Sequence, residues 1–559
     1  MTISVERWLA SAVADVRARG LEGAVPVLEA FARGMTTLRA ADWNTSPAHP
    51  ASTGVDDGGR SSGSPEAGEE AAATPVSAVQ GLPAPSAADD LHTLDIALAS
   101  ERLRHRTLTS LALTEHCLQQ IDTLNPELNA FITITREEAL AAARMADAEI
   151  ARGEWRGPLH GIPISLKDLI DQQGLATTAA SRVLDRTEAT QDAPVTAALR
   201  RAGAVLIGKT NLHEFAFGTT SDESAFGPVR HPVDRDRSPG GSSGGSAVAV
   251  ATGMSLASIG TDTGGSIRIP AAACGVVGLK PGFGELSCSG IVPLSGTLDH
   301  VGPLARTVRD ATLVYGALAS GRPQMPATRP VRGLRIGLLR EYFEDLLEGD
   351  VRRVLVEVQQ RLRAAGASLS DVRLSHAPEI ASVYLGIVFA EAAAYHAAAM
   401  ESRSDRYQPG VRLRLEAARF VLAEDYLRAM RGREAIRSEI DCALDACDVL
   451  MAPTLPIEPP PIGAAAVTIG GTAQPVRNVM LRLTQPFNVS GHPAVTLPAG
   501  RTSRGFACGV QLIGRRGGTM QLLAAALGCE SLPLTVDRRP STVDRRPSSV
   551  AVNGSTVDG

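Results

Sequence analysis

The stretch from Ser238 to Pro281, SPGGSSGGSAVAVATGMSLASIGTDTGGSIRIPAAACGVVGLKP, restricts the fold and chemistry of this chain more than any other segment. Two Gly/Ser-rich turns in it flank an apolar run. GGSSGGS taken alone reads as a linker. A linker, however, does not run straight into Ala247 to Ala251 and then into a second glycine-rich turn. Glycine-rich turns before helices also cradle phosphates through backbone N–H groups. Here the P-loop Lys-Ser/Thr is absent, and so is the G-x-G-x-x-G spacing. Gly240 to Gly244 fits G-x-S-x-G, with Ser242 at the centre of a nucleophile elbow. That elbow needs a buried strand before it, and Val229 to Pro239 reads VRHPVDRDRSP, charged and broken by proline.

Around this block, helical and strand-like patterns alternate. Leu108 to Leu124 and Glu137 to Arg152 are Ala/Leu-rich at helical spacing, with a break expected at Asn125-Pro126. Ile162 to Leu169 and Ala204 to Ile207 read as strands, and Pro194 to Ala202 as a helix. The alternation predicts an α/β fold. Upstream, Trp8, Leu9, Ala12, Val13 and Val16 form one apolar face, and Leu28, Phe31, Met35 and Leu38 a second. They predict a helical pair over residues 1–43. Residues 44–94 shift to Ser, Pro, Gly, Ala and acidic types, too poor in apolar area to offset chain ordering, and read as a flexible linker. The linker is expected to isolate the pair and leave residues 1–90 dispensable for folding. Residues 530–559 repeat TVDRRPS and read as a disordered tail. The intervening residues 95–529 are the expected catalytic domain.

Hydrophobic residues make up 44% and charged residues 21% of the 559, ordinary globular usage that excludes a fibre or a wholly disordered chain. A net charge of −5 gives no basic excess, so no nucleic-acid partner is expected. The N-terminus carries Glu6 and Asp15 without an apolar core of its own, and no later run reaches about 18 consecutive apolar residues. Neither secretion nor a membrane is indicated, which points to a cytoplasmic chain. The seven cysteines lack a C-x-x-C pair and read as reduced thiols. Cys442 and Cys447 lie near acidic residues but lack zinc-type spacing and a nearby histidine, so no metal is expected.

The motifs GIPISLKD (161–168), IGKTNLHEFAFG (207–218), PGGSSGGS (239–246), GTDTGGSIRIPAAACGVVGLKP (260–281), LDHVGPLARTVRDA (298–311) and FNVSGHPA (487–494) make a specific set. Through them the chain resembles the amidase signature hydrolases, which include acylamide amidases and the A subunit of tRNA-dependent glutamine amidotransferases. The resemblance spans roughly residues 95–529. It implies a mixed twisted sheet covered by helices. It also implies Ser266 as nucleophile, Ser242 as bridging serine and Lys167 as base, with a cis peptide entering Ser242 from Gly241.

The residue types suit such chemistry on physical grounds. A serine hydroxyl needs a base, and lysine is one only when neutral. Bringing a lysine from about 10.4 to near 7 takes roughly 4–5 kcal/mol of differential solvation, which burial supplies. Ile162, Ile164 and Leu166 beside Lys167 suggest that burial. Lys167, Lys209 and Lys280 are the only lysines among 55 basic residues, and arginine cannot lose its proton. Lys209 and Lys280 read as structural. Thr263, Gly264 and Gly265 are small enough to turn their N–H groups toward a developing oxyanion, where one lost donor costs about 2.7–4 kcal/mol.

Other polar residues have plainer readings. His160 has no apparent Asp partner and reads as packing, Asp262 and Arg268 as fixing the nucleophile turn, and Cys274 as a small buried residue. His213-Glu214 fails H-E-x-x-H because Phe217 stands at the second histidine position. The expected function is therefore hydrolysis of a carboxamide through an acyl-enzyme, without a cofactor. In the glutamine-specific subunits an acidic residue is expected a few positions before the segment matching Thr484 to Pro493, whereas Leu481 stands there. This predicts an uncharged small amide as substrate. The alternatives are the glutamine-hydrolysing amidotransferase subunit, which requires partner subunits, and a non-catalytic binding module. A homo-oligomer is compatible with either.

Overall fold

In the computed structural model, which describes residues 4–43, 91, 94–321 and 325–532, apolar runs bounded by Gly and Pro become strands and the Ala/Leu-rich runs become helices. The strands are β1 (Phe131–Ile134), β2 (Pro163–Lys167), β3 (Val205–Thr210), β4 (Ala257–Asp262), β5 (Val277–Lys280), β6 (His300–Ala305), β7 (Arg335–Leu339), β8 (Ser368–Val372), β9 (Val449–Pro453), β10 (Ala466–Ile469), β11 (Thr472–Pro475), β12 (Ala494–Arg501) and β13 (Ala507–Ile513). Eleven of them form one mixed sheet in the order β1-β3-β2-β4-β6-β5-β12-β13-β9-β7-β8. β10 and β11 pair separately across Gly470-Gly471, whose positive φ values of 57° and 81° suit the two-residue hairpin turn.

The centre of the sheet explains the position of the site. β2, β3 and β4 are buried along their whole length, as expected for parallel strands covered on both faces. β2 pairs in parallel with both β3 and β4, and Leu166 faces Ile259 in register. The carboxyl ends of β2 and β4 therefore lie side by side, where ligands bind in sheets of this type. Lys167 ends β2 and Asp262 ends β4.

One local expectation fails for an identifiable reason, and another holds. The helix Ser110–Leu128 runs through Pro126 instead of stopping before it. A proline in the last turn forfeits a single backbone bond. Asn129, left-handed at φ 52°, ends the helix instead, and the Asn125 Oδ1 accepts the Phe131 N–H at 2.8 Å. Residues 229–239 contain no strand, so Ser242 does not sit on a nucleophile elbow.

The N-terminal stripes do form helices, Val5–Ala18 and Val25–Ala40, but they do not stand apart. Phe31 is buried against Trp8 (ring centroids 5.5 Å) and stacks on Phe389 at 5.6 Å. Trp8 Nε1 donates to the Phe420 carbonyl at 2.7 Å. Arg39 makes a bidentate pair with the buried Asp425, both bonds 2.7 Å, and Arg19 pairs with the buried Glu416 at 2.8 Å. The expected isolation of the pair gives way because its apolar stripe is completed by Phe389, on the helix Ile380–Ser402. The linker falls outside the described residues except at Leu91 and Leu94. The tail does so beyond Leu532.

Phe31→Ala is accordingly expected to lower the unfolding free energy of the whole protein by about 3–5 kcal/mol. Denaturant titration followed by tryptophan fluorescence and by activity should show both midpoints falling together. A loss below about 1 kcal/mol, small for a buried aromatic, would restore the view of a separable pair. The segment Ala377–Ser402, 26 residues long, is apolar enough to cross a membrane, but 56% of its apolar window is buried inside the protein. It packs against the helices Val25–Ala40 and Ala423–Ala446 as a core helix.

Candidate active site

Lys167 is fully buried among the apolar residues of β2. Its Nζ lies 2.7 Å from Ser242 Oγ and 2.8 Å from Thr261 Oγ1. No carboxylate pairs with it among the described residues, in contrast to Lys209, whose Nζ is 3.1 Å from Asp168. Burial lowers the Lys167 pKa to about 7, against the smaller opposing influence of Asp262 and Asp299. The amine is thus neutral in a large fraction of molecules near neutral pH, with a lone pair for the Ser242 hydroxyl.

Ser242 is fully buried and enters through a cis peptide from Gly241. A Cβ on Gly241 would stand 2.7 Å from Ser221 Oγ and 2.8 Å from its backbone nitrogen, so only glycine fits. The Ser242 carbonyl accepts the His213 N–H and the Ser221 hydroxyl, both at 3.1 Å. The next residue joins the two glycine-rich turns, since the Ser243 N–H donates to the Ser266 carbonyl at 3.1 Å. Lys167 and Ser242 are therefore directly bonded, and Ser266 is held beside them through the backbone. The Ser266 hydroxyl makes no hydrogen bond among the described residues. All three are buried, Ser266 at 5% exposure and Lys167 and Ser242 at 0%.

The Ser266 turn is shaped by Asp262. Its carboxylate accepts the N–H groups of Gly265 (2.8 Å) and Ile267 (3.1 Å), together with Arg268 Nε (3.1 Å) and Nη2 (3.0 Å). Burial alone would raise its pKa, but the Arg268 guanidinium and the Asn488 amide hold it well below the ordinary carboxylate value. Arg268, itself buried, reaches on to Asn488 Oδ1 (2.7 Å) and Gln511 Oε1 (2.9 Å). Of the expected oxyanion donors, the Gly265 N–H is thus already engaged. Those of Thr263 and Gly264, and that of Ser266, have no partner among the described residues. Gly265 has φ +135°, and a Cβ there would lie 2.1 Å from Thr484 Oγ1.

A cavity of about 320 Å³ adjoins the site, lined in part by Thr261, Thr263, Ile291, Val292 and Asp299. Burial raises the Asp299 pKa to about 6, although its carboxylate accepts the Thr263 hydroxyl at 2.6 Å. The remaining polar residues serve the frame. Lys280 Nζ donates to the carbonyls of His492 (2.6 Å) and Pro281 (3.1 Å). His160 does have a carboxylate partner, Glu149 at 2.9 Å, but no serine partner among the described residues. His213 Nε2 is 3.1 Å from Glu223. Cys274 is partly rather than fully buried. Sequence reasoning left three members of the site without a role: Thr261, Asn488 and Gln511. Asn488 lies in FNVSGHPA and Thr261 directly precedes Asp262, so both had a motif to mark them, whereas Gln511 had none.

Residues 112–523 match the Amidase family. In Geobacter metallireducens, the A subunit of glutamyl-tRNA(Gln) amidotransferase is 37% identical over 475 residues, covering 78% of this chain and 96% of the relative. A crystal structure of an amidase superposes with a TM-score of 0.75 at 37% identity, covering 78% of this chain and 99% of the other. Native peptide amidase from Stenotrophomonas maltophilia superposes with a TM-score of 0.68 at 32% identity, covering 80% and 98%. With the family match spanning the sheet and both glycine-rich turns, the chain belongs to the amidase family, in its amidase signature form, and hydrolyses carbon–nitrogen amide bonds.

Proposed function

We propose that hydrolysis proceeds through an acyl-enzyme on Ser266, with Ser242 relaying the proton to Lys167. The bond between Ser242 Oγ and a buried Lys167 Nζ that has no carboxylate partner among the described residues carries this reading. Ser266 Oγ attacks the amide carbonyl and passes its proton to Ser242, which passes its own to the neutral amine. The tetrahedral oxyanion is met by the N–H groups of Thr263, Gly264 and Ser266. The proton returns to the leaving amine, the C–N bond breaks, and water releases the acid by the same route. A fluorophosphonate probe followed by peptide mapping tests the assignment. Labelling is expected at Ser266 and absent in Ser266→Ala, and labelling at Ser242 would reverse the roles.

For the substrate, the amidotransferase relatives favour glutamine as ammonia donor over the uncharged amide expected from sequence. This reading brings partner subunits and a tRNA into the assembly, at odds with the expectation of no nucleic-acid partner. One observation favours a second reading, an amide other than glutamine. Leu481 is buried and its Cδ2 lies 2.9 Å from where a Cβ on Gly264 would stand, so an apolar side chain borders the nucleophile turn. An unpaired ammonium there is poorly stabilised. Ammonia release from glutamine and from glutaramate, which differ only in the ammonium, separates the readings. A clear preference for glutamine assigns the amidotransferase role, and a preference for glutaramate excludes it.

A further inference from the structure

The wall of the cavity that adjoins the site holds several polar side chains whose hydrogen-bonding capacity is already taken up by the protein. Asp299 accepts the Thr263 hydroxyl, and its other oxygen accepts the N–H groups of Leu294 (2.9 Å) and Ser295 (3.1 Å). Thr261 Oγ1 accepts from Lys167. His300, in the same wall, is the exception. The residue is 4% exposed, and its Nδ1 donates to the Leu298 carbonyl at 2.7 Å. In a neutral imidazole that leaves Nε2 as an acceptor. Nε2 is buried and has no partner among the described residues. The Phe283 ring packs on the imidazole edge-on, centroids 5.5 Å apart, and so fixes its position. His300 stands directly opposite Asp262 across β4 and β6, one residue from Thr263.

We propose that His300 Nε2 accepts a hydrogen bond from the acyl part of the substrate, so that the preferred substrates are carboxamides bearing a neutral N–H or O–H donor close to the scissile carbonyl. A buried acceptor without a donor costs free energy, and a ligand that supplies the donor relieves that cost. A site built in this way rejects analogues that lack the group, because they leave its polar atom unpaired. Burial, and after it the neighbouring Lys280, hold the His300 pKa well below its ordinary value, so the ring stays neutral and Nε2 keeps its lone pair. The acyl side is the fitting one because Thr263, whose N–H faces the oxyanion, lines the same cavity. When a primary amide is cleaved, the group joined to that carbonyl is the acyl part. The proposal rests on Ser266 as nucleophile and narrows the uncharged amide expected from sequence.

The test measures ammonia release from matched pairs that differ in the donor alone. N-acetylalaninamide is compared with O-acetyllactamide, in which the N–H becomes an oxygen, and lactamide with its methyl ether. Wild-type kcat/KM is expected to favour the donor in at least one pair by roughly 10- to 100-fold, the range for stranding a buried polar group. His300→Phe keeps a ring and removes Nε2, and should bring that preference close to one. His300→Gln, which places an acceptor oxygen near the position of Nε2, should restore part of it. Binding to Ser266→Ala gives a readout independent of turnover. There the favoured donor should shift the Nε2 nitrogen-15 resonance of His300, assigned by its absence from His300→Gln, upfield, and its partner compound should not. That shift supports the role of His300 even if His300→Phe does not fold. It does so equally if Ser266→Ala still hydrolyses amides, a result that would remove the serine assignment instead. Equal kcat/KM within both pairs, a preference that His300→Phe leaves unaltered, or a resonance that neither donor moves would overturn the proposal and leave His300 as a brace for Phe283.

Discussion

Replacing Lys167 with arginine is expected to lower kcat/KM by roughly 10²–10⁴-fold, the range of a general base, while leaving the circular dichroism spectrum unchanged. Arginine keeps the charge and much of the reach but cannot offer a lone pair to Ser242. The pH dependence makes the test sharper. With the Lys167 pKa lowered to about 7 by burial, the amine gains its lone pair as pH rises through that value. Wild-type kcat/KM should therefore climb on the acid side and level off above pH about 8, one unit past the Lys167 pKa of about 7. The residual activity of Lys167→Arg should lack that limb. A variant that keeps more than about a tenth of the wild-type value, or keeps the same limb, would take the base role away from Lys167.

What sequence could and could not supply follows from the range of each interaction. The block from Ser238 to Pro281 was legible because its chemistry is local. The glycines that admit the Ser242 and Ser266 turns, and the residues those turns present, lie within a few positions of one another. The α/β alternation was legible for the same reason, since periodicity is a property of short windows. The helical pair was found as helices and misjudged in its attachment. A stripe such as Trp8, Leu28 and Phe31 states that a partner exists but not that the partner is Phe389, more than three hundred residues away. Gly265 was assigned as an oxyanion donor from its small size, whereas its N–H is claimed by Asp262. That misjudgement has a physical origin too, because an aspartate three residues earlier reads equally well as a cap or as a turn former. Gln511 had no signal, since it gains its meaning only from the surfaces that folding brings around it.

Arg268→Met is expected to cost the protein about 3–5 kcal/mol of stability at neutral pH, the penalty for stranding one member of a buried ion pair. The Asp262 carboxylate is wholly enclosed, and in the wild type the guanidinium meets both of its oxygens before reaching Asn488 and Gln511. The wild-type pKa of Asp262 is held below the ordinary value, so its stabilising contribution is present above the unfolded pKa of about 3.9. It is lost only as pH falls toward the folded pKa. In the variant the sign reverses. Burial, no longer opposed by Arg268, raises the folded pKa above 3.9, and Asp262 then favours folding at low pH and opposes it as pH rises through the new value. The gap between variant and wild type should therefore be smaller near pH 4, where the wild-type contribution is still present but the variant's carboxylate is protonated, and widen toward pH 8. Denaturant titrations at both values measure it, and adding Asp262→Asn to Arg268→Met should recover part of the loss by removing the stranded charge. Activity should fall as well, because Asp262 fixes the Gly265 and Ile267 N–H groups on either side of Ser266. A gap that stays constant with pH and is not relieved by Asp262→Asn would mean that Arg268 acts by filling volume rather than by neutralising Asp262.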